Sequence, residues 1–139
     1  MSTLSLISFI SYSCVAVVLI VFGLIYLTKK QFMPYHAQAL SLSWSELSEN
    51  MQVLIIALMR ATGGGLLATG LAIFVLLIIP FRAGDTWSIY AIGAIALCTS
   101  LGALYATLLV KTKTPGTPPV FLVFLALVLT VVGFISSII

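Results

Sequence analysis

Charge is what this sequence has least of. Of its 139 residues, 6% are Asp, Glu, Lys or Arg, while 62% are apolar. A domain that folds in water carries roughly a quarter charged residues, so the deficit excludes an ordinary soluble fold. The acids are Glu46, Glu49 and Asp85, and none lies inside an apolar run. Carboxylates within a membrane usually mark proton or cation pathways, so a proton-coupled transporter is not expected. Nor is a hydrolytic site of the Ser-His-Asp or paired-carboxylate kind. His36 is the one histidine, and Cys14 and Cys98 are the two cysteines. Without a CxxC pair there is no dithiol redox centre. A lone histidine with no cysteine nearby makes neither a zinc site nor a bis-histidine haem site, so no metal or cofactor is expected. The six basic residues form no patch interleaved with aromatics, which leaves nucleic acid without an electrostatic footprint.

What the chain does have is four long apolar runs, at about 4–27, 51–79, 86–110 and 119–139. A hydrocarbon core needs roughly 20 apolar residues per helix, and in lipid each run must satisfy its own backbone as a helix. The expected fold is therefore all-α, a single polytopic membrane domain over 1–139 with four transmembrane helices and the lipid bilayer as its first partner. Run one lacks a basic leading region and is followed by Lys29 and Lys30; it reads as a retained helix, not a signal peptide. Run two stops at Pro80, while Asp85 and Thr117 are expected N-caps. Cys14 and Cys98 lie at similar depth in runs one and three, as small apolar side chains of a helix interface, with a contact between them left open.

The loops after runs one and three share one side and hold Lys29, Lys30, Lys111 and Lys113; the other side has Arg82. The positive-inside rule then puts both termini outside the cytoplasm. Between runs one and two, Ala37, Leu40, Trp44, Leu47 and Met51 recur at three- and four-residue spacing. This predicts an amphipathic interfacial helix over about 37–50 anchored by Trp44, with Ser43 and Glu46 at capping-box spacing.

Arg60 is the most informative charge, because it interrupts the long second run. Either it snorkels at a membrane boundary, or it lies between helices and binds an anion such as a lipid phosphate or carboxylate. His36, Glu46 and Glu49 lie towards the same membrane face and complete a candidate ligand site with it. After Arg60 come Gly63, Gly64 and Gly65, all expected to pack; Ala61, Gly65 and Thr69 form one small-xxx-small ridge, and Gly64, Ala68 and Ala72 another. Ala96, Ser100 and Ala103 give run three a matching ridge, so these residues are expected to pack helix against helix.

Met33-Pro34-Tyr35-His36, Trp44, Met59-Arg60-Ala61-Thr62-Gly63-Gly64-Gly65 and Pro80-Phe81-Arg82 together resemble a group of small bacterial four-helix membrane proteins. That likeness implies the bacterial inner membrane and brings no activity with it. The architecture also resembles DoxX-type proteins and the membrane-associated eicosanoid and glutathione metabolism family. In the latter a Glu-Arg pair with a downstream Asn and Glu marks the second helix; here Met59 precedes Arg60, and Gly64 and Leu67 stand at the downstream positions. The likeness to it is architectural. The expected role is a non-enzymatic accessory or structural subunit of a membrane-protein complex or homo-oligomer. The alternative is a small enzyme or binding protein for a lipid-like or anionic ligand at the cytoplasmic face.

Overall fold

The computed structural model describes residues 2–139, and its regular structure is helical. The order is α1 (Thr3–Thr28), α2 (Pro34–Leu40), a single 3-10 turn (Trp44–Glu46), α3 (Glu49–Leu76), a π-turn (Leu77–Phe81), α4 (Thr86–Lys113) and α5 (Val120–Ile138). Four of these stretches, with α3 and its π-turn taken together, are long and apolar enough to cross a membrane.

Side chains on the outside explain why the composition is so apolar. Val53, Leu58, Ile79, Tyr105 and Phe121 are all more than half exposed, whereas Ser8, Ser88 and Thr130 are buried. Large apolar side chains thus cover the outside while small hydroxyl residues are buried within, unlike a fold driven together by water. Its centre is Tyr12, Val15, Ala16, Ile73, Leu77, Ile92 and Ala96.

Close approach of α1 and α3 is the tightest relationship in the bundle. A Cβ on Gly63 would stand 2.9 Å from the carbonyl oxygen of Gly23, and one on Gly70 would stand 2.9 Å from that of Ala16. On α1, a Cβ at Gly23 would meet the backbone nitrogen of Leu67 at 2.7 Å. The helices run antiparallel, with Gly63 and Gly70 set against Gly23 and Ala16 at matching seven-residue spacing. Elsewhere the Tyr12 ring lies on Gly133 of α5. Around the bundle the order is α3, α1, α5, α4, with extensive packing at each of those three seams. Between α4 and α3 the contact is sparse.

Several expectations change on this frame. Gly64 and Gly65 have nothing within 4 Å of an added Cβ, and Ala68 is exposed, so their ridges point away from the bundle. Gly63 is the member of the triplet that packs, joined by Gly70 and Gly23. Cys14 and Cys98 are free and exposed, so they line no helix interface and do not meet. The second run does not stop at Pro80. In an α-helix the Pro80 ring would collide with the preceding turn's carbonyl; widening to a π-turn absorbs it, and the helix continues to Phe81. Asp85 holds the N-cap position of α4 as expected, but its side chain makes no capping bond; Ser88 Oγ donates to the Asp85 carbonyl at 2.6 Å. Pro119 holds the N-cap position of α5, and Thr117 donates instead to Gln38.

Helix does not run unbroken over 37–50. It ends at Leu40, because Ser41 takes the left-handed conformation (φ 54°). Ser43 then precedes the 3-10 turn, and Ser48 caps α3 by accepting from Met51 N–H. The left-handed backbone at Ser41 and the local side-chain bonds of Ser43 and Ser48 divide an otherwise regular apolar stripe.

Candidate functional site

At the end of the bundle that carries Lys29, Lys30, Lys111 and Lys113, the two connecting segments join. Gln38 Oε1 accepts from the Thr117 N–H at 3.1 Å and from its hydroxyl at 2.6 Å. Gly116 sits so close to α2 that a Cβ there would stand 2.9 Å from the Tyr35 carbonyl oxygen. The short helix α2 is therefore clamped over the bundle end as a lid element.

Arg60 reaches across from α3 to the last turn of α1. Its guanidinium donates to the Tyr26 carbonyl at 2.6 Å and to the Lys29 carbonyl at 2.8 Å. The final carbonyls of a helix lack intrahelical partners and carry its negative dipole end, so a cation there satisfies both needs. This makes Arg60 an interhelical cap.

His36 also has a local task. Its Nδ1 accepts the Met33 N–H at 3.3 Å, closing the first turn of α2 from within. The ring is edge-on to Tyr35, Tyr26 and Phe32, at centroid distances of 4.2, 6.4 and 6.5 Å. Phe32 in turn is buried against Trp44. Burial in this aromatic cluster pushes the His36 pKa below its ordinary value, which keeps the accepting nitrogen unprotonated.

The two glutamates stand apart from Arg60. Glu46 is exposed and accepts from the backbone N–H and hydroxyl of Ser43, each at 2.6 Å; these bonds hold its pKa below the usual value. Glu49 is exposed in the first turn of α3, where it complements the helix dipole. Arg60 and His36 thus converge on Tyr26 as structural groups, and the four candidates do not form one ligand site. Among the described residues no three His, Cys, Asp or Glu side chains come together as a metal site requires.

What the residue pattern missed is a cavity beneath the lid. It has a volume of about 200 Å³ and lies among α1, α3, α4 and α5, with Phe22, Leu66, Ala103 and Val123 among its walls. Ser100 and Ala103 line it, and Ser100, buried as expected of a packing residue, also faces Thr130 of α5. Thr62 on α3 and Ala106 on α4 also line it and are exposed, so the cavity opens sideways where those helices barely touch. Tyr26 and Tyr35 stand at its lid end, their hydroxyls hydrogen-bonded to each other. Burial and then that bond push the Tyr35 pKa upward, so its phenol stays neutral. A second hollow of about 340 Å³ at the opposite end is walled largely by the exposed turn residues Arg82, Ala83, Gly84 and Asp85, which makes it a surface recess.

No family model, no curated protein and no solved structure matches this chain, so its function rests on the site geometry.

Proposed function

We propose that the chain is a multi-pass protein of the bacterial inner membrane that binds a lipid-like ligand, taking one apolar chain from the bilayer into the cavity between α3 and α4. The carrying observation is the cavity itself: apolar walls, a lid at one end and a side opening. A dry apolar cavity of about 150 Å³ is enough to take up benzene, while pockets enclosing a whole drug-sized molecule run to roughly 300–1,000 Å³. A cavity of about 200 Å³ suits a chain segment whose remainder stays in the membrane. The basic end is read as cytoplasmic, with both termini on the other side. No acid, base and nucleophile converge in the cavity, so the proposed role is binding.

Native mass spectrometry from a mild detergent tests this reading. The parent should retain a stoichiometric lipid-like molecule, and Ala103→Phe, which fills the cavity, should lose it. Equal retention in the two proteins contradicts the proposal. A second reading, a packing subunit of a larger complex or homo-oligomer, draws on the outward face of α3, where Gly64 and Gly65 have no neighbour. Small residues of that kind let a second helix approach closely in lipid. Co-purifying protein or a discrete oligomer in the same spectrum would favour it.

A further inference from the structure

We infer that the ligand's head group is uncharged and is met by the hydroxyl pair of Tyr26 and Tyr35; this rests on the chain-binding reading above. The residues lining the cavity include no Lys, Arg, His, Asp or Glu. Arg60, the cation nearest in the sequence to the cavity-lining Thr62, does not line it and directs both ends of its guanidinium at the Tyr26 and Lys29 carbonyls. A phosphate or carboxylate seated in the cavity would be desolvated with no charged side chain in the lining to pair with it, which costs far more than burying a neutral group.

Three of the six hydroxyls in the wall are already committed. Thr99 donates to the Ile95 carbonyl at 2.9 Å, and Thr107 to the Ala103 carbonyl at 2.9 Å. Ser100 faces the Thr130 hydroxyl at 3.5 Å. The tyrosine pair is different. A phenol has one proton to give and lone pairs to accept, and the two hydroxyls share a single bond. Whichever tyrosine donates within the pair, the other keeps a free O–H, and acceptor capacity remains as well. That combination serves an alcohol or a carbonyl, a group that both offers and takes neutral hydrogen bonds or accepts one. The lid residue Tyr35 thereby becomes a specificity element, joining the loop clamp to the ligand's polar end.

Competition among dodecanol, dodecyl phosphate and dodecane for the purified protein, read as bound mass by native mass spectrometry in a neutral detergent, tests the assignment. The wild type should prefer dodecanol over dodecyl phosphate by at least about tenfold, a difference of about 1.4 kcal/mol. The double variant Tyr26→Phe with Tyr35→Phe should still bind the chain yet no longer prefer dodecanol over dodecane. Dodecyl phosphate bound as well as dodecanol, and displaced by Ala103→Phe, would overturn the neutral-head assignment and leave the cavity reading standing. Binding of all three that Ala103→Phe does not reduce would overturn both. If the double variant does not fold, the wild-type preference alone decides the head-group charge.

Discussion

The Arg60 guanidinium lies 2.6 Å from the carbonyl oxygen of Tyr26, tying the middle of α3 to the last turn of α1. Its second bond, to Lys29 at 2.8 Å, makes the contact two-pronged. Lysine has a single ammonium and cannot reproduce the planar fork. A hydrogen bond to a charged group contributes roughly 1.5–3 kcal/mol, and partial exposure places this site towards the lower value. Arg60→Lys should therefore lower stability by about 1–2 kcal/mol, and Arg60→Met by more, in thermal melts in detergent. Added alkyl phosphate should not protect Arg60 in the parent against chemical modification. Protection would restore the anion-site reading.

Helix α3 offers a paired comparison. At Gly63 or Gly70 a leucine would drive α1 and α3 apart, because backbone atoms of α1 already stand where a Cβ would go. Overpacking of this kind costs about 1–3 kcal/mol or more. Gly64→Leu and Gly65→Leu meet open space and should leave the melting temperature of the monomer unchanged or raised. Equal losses at all four positions would contradict the assigned helix faces.

His36 sets a pH dependence whose sign is fixed by its burial. Its pKa is lowered on folding, so between the folded value and about 6.5 the unfolded chain binds more protons. Stability then rises with pH through that window. Above the unfolded pKa the contribution is complete, and it is lost as the pH falls below it, when a protonated Nδ1 can no longer accept the Met33 N–H. Hydrogen exchange of the α2 amides from pH 7 to pH 5 should show opening on acidification. His36→Phe should flatten that response. An unchanged slope in His36→Phe would assign it to another group.

Sidedness rests on charge placement, with four lysines at one end of the bundle. A reporter fused after Ile139 should be active only in the form that works outside the cytoplasm. Activity of the cytoplasmic form would invert the assignment of the lid and the cavity to the inner face.

How much of this was legible before folding differs from one element to the next. The long helices follow from long apolar runs, whose backbone would have no other way to be satisfied in lipid. The packed face of α3 was harder. Gly63, Gly64 and Gly65 together cover most of the helix circumference, so small-xxx-small spacing alone cannot say which face meets α1. The seven-residue match of Gly63 and Gly70 with Ala16 and Gly23 was the available signal. In the first connecting segment the apolar stripe was real, but the left-handed backbone at Ser41 and the local hydrogen bonds of Ser43 and Ser48 overrode it. Arg60 and His36 were rightly singled out as unusual, yet their partners are main-chain atoms, which residue types do not reveal. The cavity had no local signature at all, since it arises where α3 and α4 fail to meet.

Photolabelling tests the central claim most directly. A fatty alcohol with a diazirine midway along its chain would be equilibrated with the protein in lipid nanodiscs, irradiated, and its adducts mapped by peptide mass spectrometry. A chain seated in the cavity predicts adducts concentrated on Leu66, Ala103 and Val123, which line it, and their loss in Ala103→Phe. Labelling spread over the outward residues Val53, Leu58 and Phe121, unchanged by Ala103→Phe, would contradict the account and leave the cavity without an occupant.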